Sequence, residues 1–323
     1  MDMKKIGTIS ALFAGGLAVA GGIETMYFYE RTMKRQNTKV ERTMDMAGTD
    51  WSQYKDFLAE CKEYVLGREQ EEVEQLSFDG LKLRGTFFPP KPIPGHRKRV
   101  VLCFHGYTSQ RLKDFLALSA FYLKQGYGML HPDARAHGES EGEYIGFGCL
   151  DRHDALGWIR WVIDTCGEDV ELILHGISMG GATVLMAAGL ELPGQVKGII
   201  SDCAFTSPKE VFTHVLNTMY HLPAFPVIPM ADVLNQKLAG YGMDECNAAR
   251  EVAKAQVPIL LIHGGKDTFV PVDMCRKIYE NCREPREMLI VEGASHAESY
   301  FKDRKLYEEA VTRLIDRVCE QKG

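Results

Sequence analysis

The sequence has no surplus of basic residues. In 323 residues, 38 Lys and Arg stand against 44 Asp and Glu, giving a formal charge of −6. Nucleic-acid binding needs a clustered basic surface, so the balance argues against that class of partner. Cysteine pairs at metal or redox spacing are missing too. The nine cysteines are irregularly spaced and never form C-x-x-C, which leaves a zinc ribbon or thioredoxin-like centre without support. Several lie in apolar runs, such as Cys103 in V-V-L-C-F and Cys203 in I-I-S-D-C-A, and read as buried reduced thiols. Free thiols fit a reducing compartment. There is no P-loop, no H-E-x-x-H, no complete G-x-G-x-x-G, no internal repeat and no low-complexity tract.

What is present is an ordinary globular composition, 45% hydrophobic and 25% charged, with one departure at the start. Ile6 to Ile23 is an uncharged run of 18 residues behind Lys4 and Lys5, and Met26 to Tyr29 extends it beyond Glu24. A cleaved signal peptide, with Ala18-Val19-Ala20 as its small-residue site, and a buried helix are alternatives. Five glycines make the run a poor helix in water. Tyr27 and Tyr29, followed by Arg31, Lys34, Arg35 and Lys39, resemble an interfacial belt with a basic flank. The expectation is a single membrane anchor over residues 1–30, with the remaining chain on the cytoplasmic face. Residues 31–70 read as a polar connector and an amphipathic helix, whose face of Trp51, Tyr54, Leu58, Cys61 and Val65 docks on the main domain.

From residue 71 the pattern alternates. Val73–Phe78 and Leu81–Phe88 flank an Asp79-Gly80 turn and predict a hairpin. Short apolar runs follow at Arg99–His105, Tyr127–His131, Val170–His175, Val196–Cys203, Val257–His263 and Met288–Val291, with helical patterns between them. Repeated β-α units of this kind predict an α/β fold with a mostly parallel sheet covered by helices on both faces.

The chemistry gathers at the ends of these strands. Gly176-Ile177-Ser178-Met179-Gly180 directly follows one strand and precedes a helix. A nucleophilic serine on such a turn has a strained backbone and tolerates only small neighbours, which the two glycines supply. Ser178 needs a base and an orienter. His296, in E-G-A-S-H after the last strand, is the candidate base, and Asp267, in G-G-K-D after the preceding one, is the candidate acid. Asp202 is a second candidate acid and reads as a structural carboxylate, while Asp273 reads as the start of a helix. The backbone N–H groups of Tyr107 and Met179 are the candidate oxyanion donors.

The motifs H-G-Y-T-S, D-A-R-A-H-G-E-S, G-I-S-M-G, G-G-K-D-T-F-V-P and G-A-S-H occur in that order. In this the chain resembles the α/β-hydrolase superfamily, most closely its bacterial esterase and serine-aminopeptidase-like branch and the membrane-anchored hydrolases within it. The resemblance implies an eight-stranded sheet over residues 71–323, a Ser-His-Asp site, no cofactor and no metal. It also implies a lid insert at about residues 206–255, where His221–Met230 is apolar and Pro-rich and Asp244–Ala255 reads as a helix. Asp133, Arg135 and His137 read as a hydrogen-bonded loop, and His105, His131, His175 and His263 likewise as structural. His214 and His221 fall in the insert and read first as surface residues, with substrate contact as the alternative. The expected activity is hydrolysis of a moderately apolar carboxylic ester through an acyl-enzyme on Ser178. Hydrolysis of a short peptide or amide by the same triad is the alternative, and a non-catalytic hydrolase-like binding protein is a second one.

Overall fold

A computed structural model describes residues 22, 25–35, 49–92, 94–283 and 285–319. The sheet has eight strands: β1 (Glu71–Leu76), β2 (Lys82–Phe88), β3 (Arg99–Phe104), β4 (Gly128–Pro132), β5 (Glu171–Ile177), β6 (Val196–Asp202), β7 (Ile259–Gly264) and β8 (Arg286–Val291). Their order is β1-β2-β4-β3-β5-β6-β7-β8. β2 pairs antiparallel with β1 and with β4, and every pairing from β4 to β8 is parallel. The continuous apolar runs have the expected cause: β3, β4, β5 and β7 are buried along their whole length, so no polar alternation is needed. β8, at the edge, is only half-buried.

Counting the N-terminal helix (residues 25–32) as α1, the helices that follow are α2 (Lys55–Leu66), α3 (Leu116–Lys124), α4 (Asp151–Cys166) and α5 (Met179–Ala187). Then come α6 (Pro208–Thr218), α7 (Val227–Leu238), α8 (Ala248–Glu251), α9 (Val272–Asn281), α10 (Ser299–Lys302) and α11 (Arg304–Val318). Two separate cores lie on the two sheet faces, one under α4, α5 and the insert, the other under α2, α3 and α11. α10 and α11 are separated at Asp303, whose side chain caps the start of α11 by accepting from Leu306 N at 3.0 Å. The insert holds α6 and α7, and the helix expected at Asp244–Ala255 is one turn of α8 followed by a 3-10 turn.

The N-terminal expectation is corrected at its aromatic end. Apart from Gly22, the run Ile6–Ile23 lies outside the described residues. No helix among the described residues is long and apolar enough to cross a membrane. The aromatic cluster assigned to a lipid interface is divided. Tyr27 is exposed, but Phe28, Tyr29 and Met33 are buried in the protein core. Phe28 meets the edge of Phe212 on α6, and the Tyr29 hydroxyl donates to Asn235 Oδ1 on α7 at 3.4 Å. The start of the connector is pinned as well. Arg35 donates through its side chain to the carbonyls of Gly138 and Ser140, and Ile145 N donates to Met33 O at 2.8 Å.

The amphipathic helix docks through its expected face. Cys61 and Val65 are buried, and Trp51 and Tyr54 pack on Phe301 at 5.3 and 5.0 Å between ring centroids. All nine cysteines are buried and free.

Candidate active site

Ser178 sits between β5 and α5 with φ 56° and ψ −114°, a conformation that a side-chain-bearing residue holds only under constraint. The constraint is visible in the two flanking glycines. A Cβ on Gly176 would lie 2.1 Å from Gly180 O, and one on Gly180 would lie 1.8 Å from Phe104 O. The turn closes only because neither has a side chain. Ser178 N donates to Asp202 O at 2.8 Å, tying the turn to the end of β6.

The ends of β7 and β8 bring the other two candidates to Ser178. His296 Nε2 lies 2.9 Å from Ser178 Oγ, and its Nδ1 lies 2.6 Å from Asp267 Oδ2. With the carboxylate on Nδ1, that nitrogen carries the proton, and Nε2 accepts from the serine hydroxyl. Asp267 Oδ1 is held separately, accepting from Phe269 N and Val270 N at 2.9 Å each. Burial would raise the Asp267 pKa, but His296 and His263 outweigh it and keep the carboxyl well below its ordinary range. All three side chains are buried, and the Phe269 ring lies edge-on to His296 at 5.0 Å.

The loop after β3 runs beside this chain. A Cβ on Gly106 would meet Ser178 Cβ at 3.3 Å, so the loop that carries Tyr107 passes directly beside the serine, and Met179 begins α5 on its other side in sequence. Gly106 N donates to Asp114 Oδ2 at 2.8 Å, and Asp114 Oδ1 accepts from Ser109 Oγ, so one carboxylate shapes the loop. The Tyr107 ring stacks on Phe147, and its hydroxyl donates to Arg31 O at 3.2 Å.

The other named residues stay out of this chain of contacts. Asp202 accepts from Ser299 Oγ at 3.3 Å, and burial pushes its pKa up to about 6. Asp273 is exposed in the first turn of α9. Arg135 bridges Asp79 and Asp154, Asp133 takes Arg111 and Glu139 N, and His137 Nε2 accepts from Thr108 N. His105 Nε2 accepts from Ala134 N, and His175 lies between the hydroxyls of Tyr122 and Tyr307. His214 donates to Thr268 O from a half-buried position, and His221 is exposed.

Three contacts had no signal in the sequence pattern. His263 Nε2 lies 3.3 Å from the same Asp267 oxygen that takes His296, while also donating to Val270 O at 2.8 Å. Burial opposes charge on His263, but the bond to Asp267 outweighs it and raises its pKa. Cys203 Sγ lies 3.9 Å from His296 Nε2. Glu298, two residues past His296, accepts from Ser295 N at 2.8 Å and from the Tyr54 hydroxyl at 2.9 Å, which braces the histidine loop. Cys203, Asp267 and His296 place possible metal donors within 4.8 Å of one another. The Asp267–His296 pair is closed at hydrogen-bond distance, however, and burial holds the Cys203 thiol in its neutral form, so this set fits proton transfer rather than metal binding.

Comparison with known proteins bears on the fold. Residues 95–238 match the family model described as serine aminopeptidase, S33. The uncharacterized protein YqkD of Bacillus subtilis is 29% identical over 239 residues, which cover 74% of this chain and 77% of that protein. The lysophosphatidylserine lipase ABHD12 of Danio rerio is 25% identical over 58% of this chain and 48% of its own length. Among solved structures, an esterase of Pyrococcus furiosus superposes with a TM-score of 0.63 at 23% identity, covering 79% of this chain and 93% of that one. A puromycin-hydrolyzing peptidase of Mycobacterium tuberculosis gives 0.59 at 20% identity, over 79% of this chain and 40% of that one. The chain has the α/β-hydrolase fold, and its likenesses are to hydrolases of the esterase and serine-aminopeptidase kind.

Proposed function

We propose that the protein is a serine hydrolase that cleaves a moderately apolar carboxylic ester through an acyl-enzyme on Ser178. The observation that carries the reading is the unbroken chain from Ser178 Oγ through His296 to Asp267, built on a strained strand-to-helix turn. His296 Nε2 takes the hydroxyl proton as Oγ attacks the ester carbonyl. The oxygen that becomes negative faces the N–H groups of Tyr107 and Met179, and the helix dipole of α5 adds to their effect. The tetrahedral adduct collapses, and His296 returns the proton to the leaving alcohol. Water then repeats the sequence on the acyl-enzyme and frees Ser178. Asp267 keeps the proton on Nδ1 and stabilises the imidazolium.

The aromatic cluster that Tyr107, in the loop passing Ser178, forms with Phe147 and Phe212 supports an apolar acyl group. The match to a serine aminopeptidase model keeps amide cleavage at the same triad as the second reading. A membrane anchor in the run Ile6–Ile23, with the hydrolase domain on the cytoplasmic face, belongs to this proposal. The test is labelling by a fluorophosphonate probe. Wild type is labelled and Ser178→Ala is not; a folded wild type that resists the probe overturns the enzyme reading. A panel of p-nitrophenyl esters and aminoacyl anilides then separates esterase from peptidase.

A further inference from the structure

The roof over the site carries an apolar surface that the reaction does not use. Phe225 is 76% exposed and Tyr220 55% in the connection between α6 and α7. Met230 and Val233 point outward one helical turn apart on α7, and Met26 and Tyr27 point outward on α1, with Tyr27 65% exposed. The two helices meet at these ends, where Thr25 Oγ1 lies 3.9 Å from Met230 Sδ. α7 stays mixed to its end, with Met230, Val233, Gln236, Lys237 and Leu238 all exposed; on α1 and just beyond it the exposed residues pass from Met26 and Tyr27 to Glu30, Arg31 and Arg35. An apolar end with aromatic residues, grading into charge, is the composition of a surface that dips into a lipid interface. The chain that enters α1 supplies the same chemistry, since the uncharged run Ile6–Ile23 immediately precedes it.

We infer that this face, formed by α1, α7 and the α6–α7 connection, lies on a lipid bilayer, and that the acyl substrate reaches Ser178 from the membrane beneath it. The second half of the inference rests on the hydrolase reading; the first does not. The underside of the same roof is apolar as far as the serine loop. Phe28 on α1 meets Phe212 on α6, Phe212 meets Phe147, and Phe147 stacks on Tyr107 in the loop that passes Ser178. The phenylalanine rings are packed and buried, so an acyl chain from the bilayer enters by parting them. A second copy of the protein could also cover an apolar face, but the grading along α1 and the uncharged run Ile6–Ile23 that precedes it in sequence match the depth profile of a bilayer.

The test uses the full chain with Phe225→Trp, and with Leu306→Trp on α11 as the reference, mixed with vesicles of brominated phosphatidylcholine and phosphatidylglycerol. The emission that Phe225→Trp adds over wild type is quenched by at least half, and that of Leu306→Trp is not. Equal quenching of both, or none of either, overturns the orientation. A dimer that Tyr220→Asp/Phe225→Asp dissociates, with no quenching, also overturns it. The same double variant hydrolyses p-nitrophenyl acetate in solution at the wild-type rate. It loses at least tenfold against p-nitrophenyl palmitate carried in vesicles, and an unchanged ratio of the two rates refutes delivery from the membrane. A wild type inactive on both esters removes the hydrolase reading and leaves the quenching result standing.

Discussion

Asp267→Asn is the sharpest probe of the site because the structure dictates which way the new amide must point. Oδ1 accepts two backbone N–H groups, from Phe269 and Val270. An NH2 group placed there would face two donors, so the amide oxygen takes that side and the NH2 turns towards His296 and His263. His296 Nδ1 then has a donor opposite it and must accept. Its proton moves to Nε2, where it points at Ser178 Oγ instead of receiving from it. Ser178 loses its base, and the imidazolium loses a carboxylate at 2.6 Å. In serine hydrolysis a tautomer error of this kind costs about 10⁴-fold in kcat, or about 5.5 kcal/mol of transition-state stabilisation. The variant is isosteric and keeps both backbone hydrogen bonds, so it should fold. The assay is burst and steady-state hydrolysis of p-nitrophenyl acetate beside circular dichroism. A folded Asp267→Asn protein with kcat within about tenfold of wild type would refute the assignment of Asp267 as the orienting acid, and the carboxylate of Asp202 would need the same test.

Three further outcomes follow from the packing. Gly180→Ala brings a methyl group to 1.8 Å from Phe104 O and is expected to destabilise by more than about 4 kcal/mol, whereas Gly194→Ala, with nothing within 4 Å, leaves the thermal midpoint unchanged. Tyr29→Ala empties a fully buried ring site and strands Asn235, so denaturant unfolding should show a loss of about 3–5 kcal/mol; an unaltered midpoint would mean that α1 is not part of the folded body. His131 is buried, and burial lowers its pKa from 6.5 to about 3. Between those values the unfolded chain binds a proton that the folded chain refuses, so the His131 share of stability is lost as pH falls below 6.5, at up to about 1.4 kcal/mol per pH unit. His137 and His175 behave alike, while Asp154 and Asp202, raised by burial to about 7 and about 6, act in the opposite sense. Comparing wild type with His131→Gln isolates one term: the gap in unfolding free energy should shift towards the variant from about pH 6 to pH 4, and parallel curves would contradict it.

The central strands were legible because they are buried on both faces and therefore read as apolar runs with β-branched residues, as in Val100–Phe104 and Ile259–Ile262. The turn around Ser178 was legible because its steric demand is local, two glycines within five residues. Contacts made only by the fold were not. Nothing near His263 in sequence says that it shares an oxygen with His296, and nothing near Tyr54 says that it reaches Glu298. The N-terminal aromatics misled for a related reason. Tyr29 next to basic residues has the composition of a membrane interface, and only the placement of α6 and α7 gives it a protein surface to bury against. The prolines at 223, 226 and 229 obscured α7, although Pro226 only precedes it and Pro229 falls in its first turn, where the missing N–H costs nothing.

The Tyr54–Glu298 bond joins positions 244 residues apart, and this orders events during synthesis. Closing so long a loop waits for most of the chain, so Trp51, Tyr54 and Phe57 leave the ribosome long before Phe301 exists to cover them. His296 emerges in the same late stretch, more than a hundred residues after Ser178. Ser178 is therefore made early and stays apart from His296 until the segment that shields the early aromatics has also arrived. A nascent or C-terminally truncated chain would carry both an incomplete candidate site and an uncovered aromatic face, which makes it a substrate for chaperones.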